Sequence, residues 1–392
     1  MKVISIEVAP EHAYGREFLR GIASFAARRG NAQLQSVPQT TPTGVIVRSS
    51  DGIIMRLFGN RIGRAALRHA IPTVDIYGER PRPGIAEVHG DYTAIGNLAA
   101  DFFLRRRYEN FAWCGIAGVV FSDRIRDAFV SRLRDAGKSV YEYDTPQKPQ
   151  RIINSFAPDQ IPDAKQLTHW LKTLPRPSAL FCCNDHRAYQ VMHVATAAKI
   201  RIPTELAILG VDNDPMICAF ARTPISSIEP DAYRIGYTAA RVLDAMLKAP
   251  PHVKSHNPVL IPPKCIIERE STQHIPIEPP WLAKALLVVE ARLSEGVSAA
   301  DVCAATGMSV PTVERAFREK LHTSVIGFIN DRRMEKAKSL LKTSNLLTKE
   351  IAAACGFSSA QYFCRLFSAR YGKSPQAMRG NQTSIRQDAT GR

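Results

Sequence analysis

Short apolar runs alternate with stretches of helical periodicity over roughly the first 270 residues of the chain. Runs of about four to eight residues, rich in β-branched side chains, are typical of buried strands. The stretches between them repeat apolar residues three and four positions apart, as amphipathic helices do. This alternation predicts a doubly wound α/β architecture with parallel sheets, and the length of the region predicts two α/β lobes. The predicted strands are 2–9, 73–77, 111–116, 139–143, 178–183 and 206–211, with either 44–47 or 52–55 as a further one.

The pattern becomes helical throughout from Trp281 to about residue 380. Ser298 followed by Asp301 is typical of a helix that begins with a capping box. Turns at Gly307 and Gly356 each separate two short amphipathic helices, and the two glycines lie 49 residues apart. This spacing predicts a helix-turn-helix motif that occurs twice, with one connecting helix between the copies.

The stretch between these two regions predicts a domain boundary. Residues 271–280 are polar, contain three prolines and have no periodicity, so we expect a semi-rigid linker. The residues after Gly380 are polar and predict a disordered tail. The expected organisation is a two-lobed α/β domain over 1–270, the linker, an all-α domain over 281–380 with helix-turn-helix motifs at about 298–319 and 348–371, and a tail over 381–392.

The net charge of the chain is +16, and half of it lies in the C-terminal part. Residues 281–392 carry 17 Lys and Arg against 9 Asp and Glu. A basic helical domain favours a polyanionic partner. The second helix of each motif also presents polar and basic side chains opposite its apolar face, which suits entry into a DNA major groove. A plain helical bundle with solvated arginines is the alternative, and the duplication of the motif disfavours it.

The outward-facing side chains of the two second helices are the candidates for contacts to DNA bases. Arginine can bond guanine O6 and N7, and glutamine can pair with adenine N6 and N7. The candidates are Thr312, Glu314, Arg315 and Arg318 in the first motif and Ala360, Gln361, Cys364 and Arg365 in the second.

The chain carries no recognised motif for catalysis or for a cofactor. GxGxxG, the Walker loop, HExxH and GxSxG are absent, so we expect no catalytic residue, metal or cofactor. His186 beside Cys182 and Cys183 could form a nucleophilic pair, but cysteines inside an apolar run are more often structural. The eight cysteines lack CxxC spacing, and Glu7 interrupts the N-terminal apolar run. We therefore expect reduced thiols, no secretion signal and no membrane span, as in a cytoplasmic protein.

The second helix-turn-helix motif resembles a known family. The residues that carry the resemblance are Ile351-Ala352, Cys355-Gly356-Phe357, Tyr362-Phe363, Arg365, Phe367 and Gly372-Lys373-Ser374-Pro375. Residues 285–380 are similar throughout to the AraC/XylS family of transcription activators. The resemblance implies that the chain binds double-stranded promoter DNA, and it is compatible with a contact to RNA polymerase.

The same resemblance assigns base-facing positions in both motifs. These are Pro311, Thr312, Glu314 and Arg315 in the first motif and Ala360, Gln361, Cys364 and Arg365 in the second. Pro311 departs from the family pattern, because a proline cannot hydrogen-bond a base. The first motif is therefore expected to depend on Arg315 and Glu314.

Polar side chains recur directly after the predicted strands of the α/β domain. They are Tyr14, Arg16, Asn184, Asp185 and Asp212. In open α/β sheets, ligands bind beyond the carboxyl ends of the strands. Arginine forks and carboxylate acceptors suit the hydroxyl groups of a sugar.

The α/β domain resembles the LacI/GalR-type sugar-sensing core, which has a type I periplasmic-binding-protein fold. The resemblance rests on Tyr14-Gly15-Arg16, Asp91-Tyr92, Arg126, Phe129, Asn184-Asp185, Gly210-Val211-Asp212-Asn213 and Ser226-Ser227-Ile228. It implies a homodimer and a small sugar effector that is bound by Tyr14, Arg16, Arg126, Asn184, Asp185 and Asp212. LacI/GalR members carry their DNA-binding domain at the N-terminus, whereas the AraC-type domain here lies at the other end. This arrangement is similar to that of the XylR-like xylose-operon activators.

The two resemblances together imply a sugar-responsive transcription regulator, an activator of a catabolic operon for a xylose-like pentose. A sugar bound between the lobes would alter promoter binding by the C-terminal domain. A sugar-processing α/β enzyme with an accessory helical domain is the alternative, and the lack of catalytic motifs disfavours it. An extracytoplasmic sugar-binding protein is a third possibility, which the helical domain disfavours.

Overall fold

Two six-stranded sheets, one in each of two α/β lobes, form the core of the first 273 residues in the computed structural model of the chain. Contacts group the chain into two units, Met1–Gln273 and His274–Arg392, which we call the α/β unit and the helical unit. The predicted fold class is confirmed, whereas the predicted tail lies outside the described residues. The structure describes residues 2–8, 10, 12–30, 32–37, 41–56, 61–78, 84–145, 161–248, 257–344 and 346–379.

The described part of the α/β unit contains strands and helices in alternation. The strands are β1 (Lys2–Glu7), β2 (Ala32–Ser36), β3 (Gly52–Met55), β4 (Thr73–Asp75), β5 (Ala86–Gly90), β6 (Asn110–Ile116), β7 (Val140–Thr145), β8 (Ser178–Cys182), β9 (Leu206–Val211), β10 (Ser226–Glu229), β11 (Val259–Ile261) and β12 (Cys265–Ile267). The helices are α1 (Ala13–Arg29), α2 (Thr43–Ser49), α3 (Arg61–Arg68), α4 (Tyr92–Arg105), α5 (Val120–Asp135), α6 (Ala164–Thr173), α7 (Asp185–Ala197), α8 (Pro215–Phe220) and α9 (Ala232–Lys248).

Each lobe is built on one of the two sheets. The sheet of lobe 1 has the order β11-β5-β4-β3-β1-β2, and its neighbouring strands are parallel. The sheet of lobe 2 has the order β12-β10-β9-β8-β6-β7, and it is parallel except for the β10–β12 pair. The chain passes between the lobes after β5, after β10 and after β11. As a result α4 packs in the core of lobe 2 and α9 in the core of lobe 1.

Two segments of lobe 1 differ from the hydrophobic pattern. Of the two candidate strands, 52–55 forms β3, whereas 44–47 lies in helix α2 and is not a strand. Ile46 is buried there in a small satellite cluster and Val47 is also buried, so a helix of about two turns is enough to cover them. The pattern also does not predict β2, because this edge strand carries only one large apolar side chain, Leu34, among polar residues.

The helices α1 and α9 approach closely at two glycines. A Cβ atom at Gly21 would lie 2.1 Å from the carbonyl oxygen of Tyr233, and one at Gly236 would lie 2.0 Å from that of Phe18. Both distances are far below van der Waals contact, so this crossing requires glycine at both positions. The close approach allows Phe18 and the neighbouring apolar residues to pack against the sheet of lobe 1.

The helical unit contains two small apolar cores. One core joins the first three helices to the beginning of the fourth, and the other joins the end of the fourth to the last two. The predicted capping box is confirmed, since Ser298 and Asp301 bond each other's backbone N–H groups. The described chain has no helix with the length and apolarity needed to cross a membrane. The helices are α10 (Pro280–Arg292), α11 (Ala299–Thr306), α12 (Val310–Leu321), α13 (Val325–Thr343), α14 (Thr348–Ala354) and α15 (Ala360–Tyr371).

Candidate effector cleft and DNA-recognition helices

Polar groups from both lobes meet where the strands of the two sheets end. The backbone N–H of Ala13, at the start of α1, donates to Oδ2 of Asp214 over 2.9 Å. Beside it, Nδ1 of His12 lies 3.0 Å from Nε2 of His186, at the start of α7. Burial lowers the pKa of His186 to about 4, so this contact joins the lobes without a charge on that ring. The carboxyl ends of the two sheets therefore face one cleft, the position expected for a ligand in an α/β fold.

Three tyrosines line this cleft, two from lobe 1 and one from its boundary with lobe 2. The rings of Tyr14 and Tyr77 are 6.1 Å apart, and the hydroxyl of Tyr92 donates to the carbonyl of Tyr77 over 3.2 Å. Tyr92 also stacks on His89 at 5.2 Å, and the guanidinium of Arg56 lies 4.6 Å above the Tyr77 ring. Burial is the main cause of a raised pKa for the Tyr14 hydroxyl, so this hydroxyl stays neutral. Such an aromatic wall can pack against the C–H face of a sugar ring.

A strained turn in lobe 2 faces the tyrosines. Asp212 has a φ angle of 107° and Asn213 one of 50°, which are unusual for residues with a side chain. Burial raises the pKa of Asp212, and the nearby carboxylates of Asp185 and Asp214 raise it further. Backbone strain of this kind persists only where surrounding contacts hold it, and it is concentrated at functional sites.

Asp185 supports this turn from within lobe 2. Its side chain is fully buried, its Oδ1 accepts from Ser227 Oγ over 2.6 Å, and its Oδ2 accepts from the Asp214 N–H over 2.8 Å. The carboxylate of Asp214 in turn caps α8 by accepting from the Met216 N–H over 3.0 Å. The Asp185 carboxylate is thus used inside the protein, and it holds the turn that presents Asp212.

Replacement of Asp185 by asparagine should change how stability depends on pH. Burial raises the Asp185 pKa from its ordinary value of 3.8 to about 7. A carboxyl group with a raised pKa in the folded state stabilises the fold below its ordinary pKa and loses that contribution as the pH rises through its folded value. Between about pH 4 and pH 8 the wild type should therefore lose stability relative to Asp185→Asn. Urea unfolding at both ends of this range measures the difference, and equal slopes in the two proteins would contradict it.

Two arginines on α5 occupy opposite sides of that helix. Arg126 is held by carboxylates of α5 and β7: its Nη1 lies 2.8 Å from Asp144 and 3.4 Å from Asp123, and its Nη2 lies 3.0 Å from Asp127. Arg124 instead lies within electrostatic reach of Glu87 and His89 of lobe 1. Burial raises the pKa of Glu87, and the charge of Arg124 opposes that change.

The structure therefore does not bring Arg126 to the cleft, and the arginine that faces lobe 1 is Arg124. Residues two apart on a helix point about 200° away from each other, so the sequence alone could show that the pair faces opposite sides. It could not show which side carries the cleft.

The other predicted effector contacts lie at the edges of the cleft. Asn184 caps α7, because its Oδ1 accepts from the Arg187 N–H over 2.9 Å, and it is almost fully buried. Arg16 is exposed, donates to the carbonyl of Pro10 over 3.2 Å and lies 3.9 Å from Asp214. Of the six predicted residues, Tyr14, Asp212, Asp185, Asn184 and Arg16 surround the cleft. Tyr92 contributed to the family resemblance without being predicted as a contact, and the residues that the sequence did not single out are Arg56, Tyr77, Glu87, His89 and Arg124.

The alternative of a Cys-His nucleophile finds no support in this geometry. Cys182 and Cys183 are buried in lobe 2, and burial raises the pKa of Cys183. His186 contacts His12 across the cleft instead. A buried, neutral thiol is a poor nucleophile, so the cysteines have a packing role.

The helix α12 presents a partly paired polar face. Val313 and Phe317 are buried, whereas Arg315 and Arg318 are exposed. Thr312 is half-buried, and its hydroxyl lies 2.9 Å from that of Ser309. Nε of Arg318 lies 3.8 Å from Oε2 of Glu314 on the same helix. Arg315 and Arg318 are therefore both exposed guanidinium groups on this face, and Arg318 is loosely paired with Glu314.

The helix α15 presents a more open face. Phe363 and Phe367 are buried, Ala360 and Cys364 are half-buried, and Gln361 and Arg365 are exposed. The guanidinium of Arg365 lies 5.4 Å above the ring of Tyr362, which limits its freedom without covering its donors. The N-terminus of α15 is closed by Ser359, whose Oγ accepts from the Tyr362 N–H over 3.3 Å. Gln361 and Arg365 lie on the same exposed face, four positions apart.

Comparisons with known proteins match both units. A family model described as a periplasmic binding protein-like domain matches residues 100–272, and one described as a helix-turn-helix domain matches residues 302–381. The xylose operon regulatory protein of Haemophilus influenzae is 26% identical over 340 residues, which cover 85% of this chain and 86% of that protein. The protein of the same name from Escherichia coli K12 is 30% identical over 223 residues, which cover 56% of each chain.

Solved structures show the same fold. The chain is similar to the xylose-binding transcription activator XylR, with a TM-score of 0.59 and 23% identity over 97% of this chain and 98% of that one. A LacI family regulator from Enterococcus faecalis with bound ribose has a TM-score of 0.56 and 22% identity, over 69% of this chain and 98% of that one.

The matches join one sensor-type fold and one DNA-binding fold in a single chain. The matched regions correspond to the part of the α/β unit from α4 onward and to the helix-turn-helix helices of the helical unit. A transcription regulator fits these matches better than an enzyme with an accessory domain does. The chain therefore combines a periplasmic binding protein-like domain with a C-terminal helix-turn-helix domain, which is the organisation of a DNA-binding transcription regulator.

Proposed function

We propose that the chain is a cytoplasmic, dimeric transcription activator whose effector is a xylose-like pentose bound in the cleft. The observation that carries the proposal is the pairing of an aromatic wall in lobe 1 with a strained acidic turn in lobe 2. A sugar ring requires an apolar surface for its C–H face and charged partners for its hydroxyls. The names of the relatives supply the pentose, since the related regulators are described as xylose operon regulatory proteins.

Each cleft residue has a role in this proposal. Tyr14 and Tyr92 pack against the ring, and Asp212 accepts from hydroxyl groups on the lobe 2 side. Arg124, on α5 of the same lobe, donates a guanidinium fork toward lobe 1. Because both lobes contact the same small molecule, binding favours the closed arrangement of the lobes.

The remaining predicted residues support this set. Asp185 holds the turn of Asp212, and Asn184 fixes the start of α7. Arg16 adds positive charge near Asp214, while Arg126 stays with its carboxylate partners on the outer side of α5. The predicted boundary at residue 270 moves to Gln273, because Ser271 and Thr272 are buried in lobe 2, and the linker is proposed to span residues 274–279.

The helical unit carries the proposed output. The recognition helices α12 and α15, joined by α13, would enter successive major grooves about 34 Å apart on one face of the DNA. Thr312, Glu314, Arg315 and Arg318 are the proposed contacts of α12, and Ala360, Gln361, Cys364 and Arg365 are those of α15. An exposed surface of the same unit would contact RNA polymerase when the promoter is occupied.

A thermal-shift experiment with two matched variants tests the effector site. Saturation with xylose at about a hundred times its Kd should stabilise the protein by about 2.7 kcal/mol. Arg124→Gln should weaken xylose binding at least about tenfold, because a charged hydrogen bond typically contributes about 1.5–3 kcal/mol. Arg126→Gln, on the opposite side of the same helix, should bind xylose within about threefold of the wild type by calorimetry.

The same experiment separates the competing interpretations. A panel of pentoses and hexoses that leaves both melting temperature and promoter binding unchanged would contradict a sugar effector. Product analysis after long incubation tests the sugar-processing enzyme, which would consume the bound sugar. An equal loss of affinity in both arginine variants would remove Arg124 from the proposed site.

A further inference from the structure

The last residues of the α/β unit are tied firmly into lobe 2. We call residues 268–273 the exit segment, because the helical unit begins at the next residue. Ser271 and Thr272 are fully buried. The hydroxyl of Ser271 donates to the carbonyl of Ile208 over 2.7 Å and accepts from the Ser226 N–H over 2.8 Å. Movement of lobe 2 must therefore move the exit segment with it.

Arg269 links the exit segment to the strained turn in the cleft. Its Nη2 donates to Oδ1 of Asn213 over 2.7 Å, and its Nη1 donates to the carbonyl of Ile225 over 2.8 Å. Asn213 directly follows Asp212, the proposed sugar contact. Its own N–H donates to Ser227 Oγ over 2.9 Å, which ties the turn to β10. One guanidinium thus joins the effector turn to the start of the path toward the DNA-binding unit.

Arg106 holds the exit segment from a second side. It caps the C-terminus of α4, is almost fully buried, and donates through Nη1 to the carbonyl of Thr272 over 2.9 Å. It also forms an ion pair with Glu268. The opposite end of α4 begins with Asp91 and Tyr92 at the cleft. The exit segment therefore receives contacts both from the turn of Asp212 and from the helix that carries Tyr92.

We propose that Arg269 is the positioning residue that couples occupancy of the cleft to DNA binding, an inference that rests on the sugar-responsive function proposed above. Asp212 and Asn213 occupy uncommon backbone conformations. A strained turn of this kind can relax to a second conformation, and a ligand that bonds Asp212 would favour one of the two. The two fixed donors of Arg269 convert a change of the Asn213 side chain into a displacement of the exit segment. Arg269 does not contact the sugar in this scheme; it acts through Asn213.

The coupling is tested with the full chain, xylose and promoter DNA. The measured quantity is the ratio of promoter Kd values without and with saturating xylose, which couplings of this type change about 5–150-fold. Arg269→Gln should reduce this ratio to within about twofold of one, while xylose Kd stays within about threefold of the wild type. Linkage also requires that promoter DNA no longer alters xylose Kd in this variant. If Arg269 acted only in folding, the variant would not lose both the effect of xylose on promoter Kd and the effect of promoter DNA on xylose Kd while it still binds xylose.

Matched variants of the partner residue sharpen the test. Asn213→Gly removes the acceptor and tolerates the positive φ, so it should lose the coupling as Arg269→Gln does. Asn213→Asp keeps an acceptor for Arg269 and should retain the coupling. Arg222→Gln, which changes an exposed arginine that follows α8, should behave as the wild type. If one variant does not fold, the other still reports on the same hydrogen bond.

The outcomes distinguish this inference from the function on which it rests. A wild-type protein that binds no xylose, or whose promoter affinity ignores xylose, would overturn the proposed function. A wild type that responds to xylose together with Arg269→Gln and Asn213→Gly variants that respond equally would overturn the role of Arg269 alone. A loss of xylose binding in both variants would place Arg269 in the binding site and would also overturn the coupling role.

Discussion

Replacement of Asp163 by leucine should lower the free energy of unfolding of the α/β unit by about 3–5 kcal/mol. Asp163 and Arg187 form an ion pair in lobe 2 whose side chains are both fully buried. The guanidinium donates to Oδ1 over 3.1 Å and to Oδ2 over 2.6 Å, and Tyr143 Oη donates to Oδ2 over 3.1 Å. Loss of the carboxylate leaves a buried positive charge without its counter-ion, which is far costlier than the loss of an exposed pair.

Denaturant unfolding of the full chain measures this effect, and two controls define it. Asp127→Asn removes an exposed carboxylate from Arg126 and should cost no more than about 1 kcal/mol. The double variant Asp163→Leu with Arg187→Met removes both charges and should regain most of the loss, because an apolar pair can replace a buried ion pair. A double variant as unstable as the single one would show that packing, not charge, explains the effect.

The same pair predicts how the wild type responds to acid. Burial alone would raise the pKa of Asp163, but the hydrogen bonds and charge of Arg187 lower it below its ordinary value of 3.8. A carboxyl with a lowered folded pKa contributes its stabilisation above its ordinary pKa and loses it as the pH falls through the folded value. The contribution of the pair should therefore be constant near neutrality and disappear only in strong acid, below about pH 4.

Replacement of Arg365 by alanine should weaken binding to the promoter by about 1–3 kcal/mol, which corresponds to about a 5–150-fold rise in Kd. Arg365 lies on the exposed face of α15 beside Gln361, and the ring of Tyr362 restricts its guanidinium. A restricted fork loses less conformational freedom when it bonds O6 and N7 of a guanine. Xylose binding should stay unchanged, because this residue lies in the helical unit.

Fluorescence anisotropy at fixed salt, with a set of promoters that differ at single base pairs, measures this result. The variant should lose discrimination at one base pair and keep it at the others. Lys373→Ala is the comparison, since this exposed lysine follows α15 and should weaken all sequences about equally. If Arg365→Ala also weakens every promoter equally, Arg365 contacts phosphate rather than a base.

Arg370 shows why exposure on α15 is not sufficient for DNA recognition. This arginine forms an ion pair with Asp331 of α13 and lies near the ring of Tyr371. It holds α15 against the connecting helix, as Arg332 holds α13 to Glu290 of α10. Neither ion pair is visible in the periodicity of the helices, because each joins residues that are distant in the sequence.

The sequence by itself determined the fold class, the order of most elements and the positions of both helix-turn-helix motifs. These features depend on neighbouring residues: apolar spacing of three and four, the Ser298–Asp301 capping box and the turn at Gly307. Local patterns failed where the burial of a segment is decided by its neighbours in space, as for the edge strand β2 and for helix α2.

Only the tertiary structure decided which polar residues face the cleft. The sequence pattern does not distinguish Arg124 from Arg126 as the arginine at the cleft. In the structure, carboxylates of β7 hold Arg126 outside the cleft, while Arg124 faces Glu87 of lobe 1. Tyr77 and Tyr92 join Tyr14 through contacts between segments far apart in the chain. The bond from Arg269 to Asn213 likewise spans 56 positions. Such contacts follow from how distant segments pack within and between the lobes, and a one-dimensional pattern carries no information about that packing.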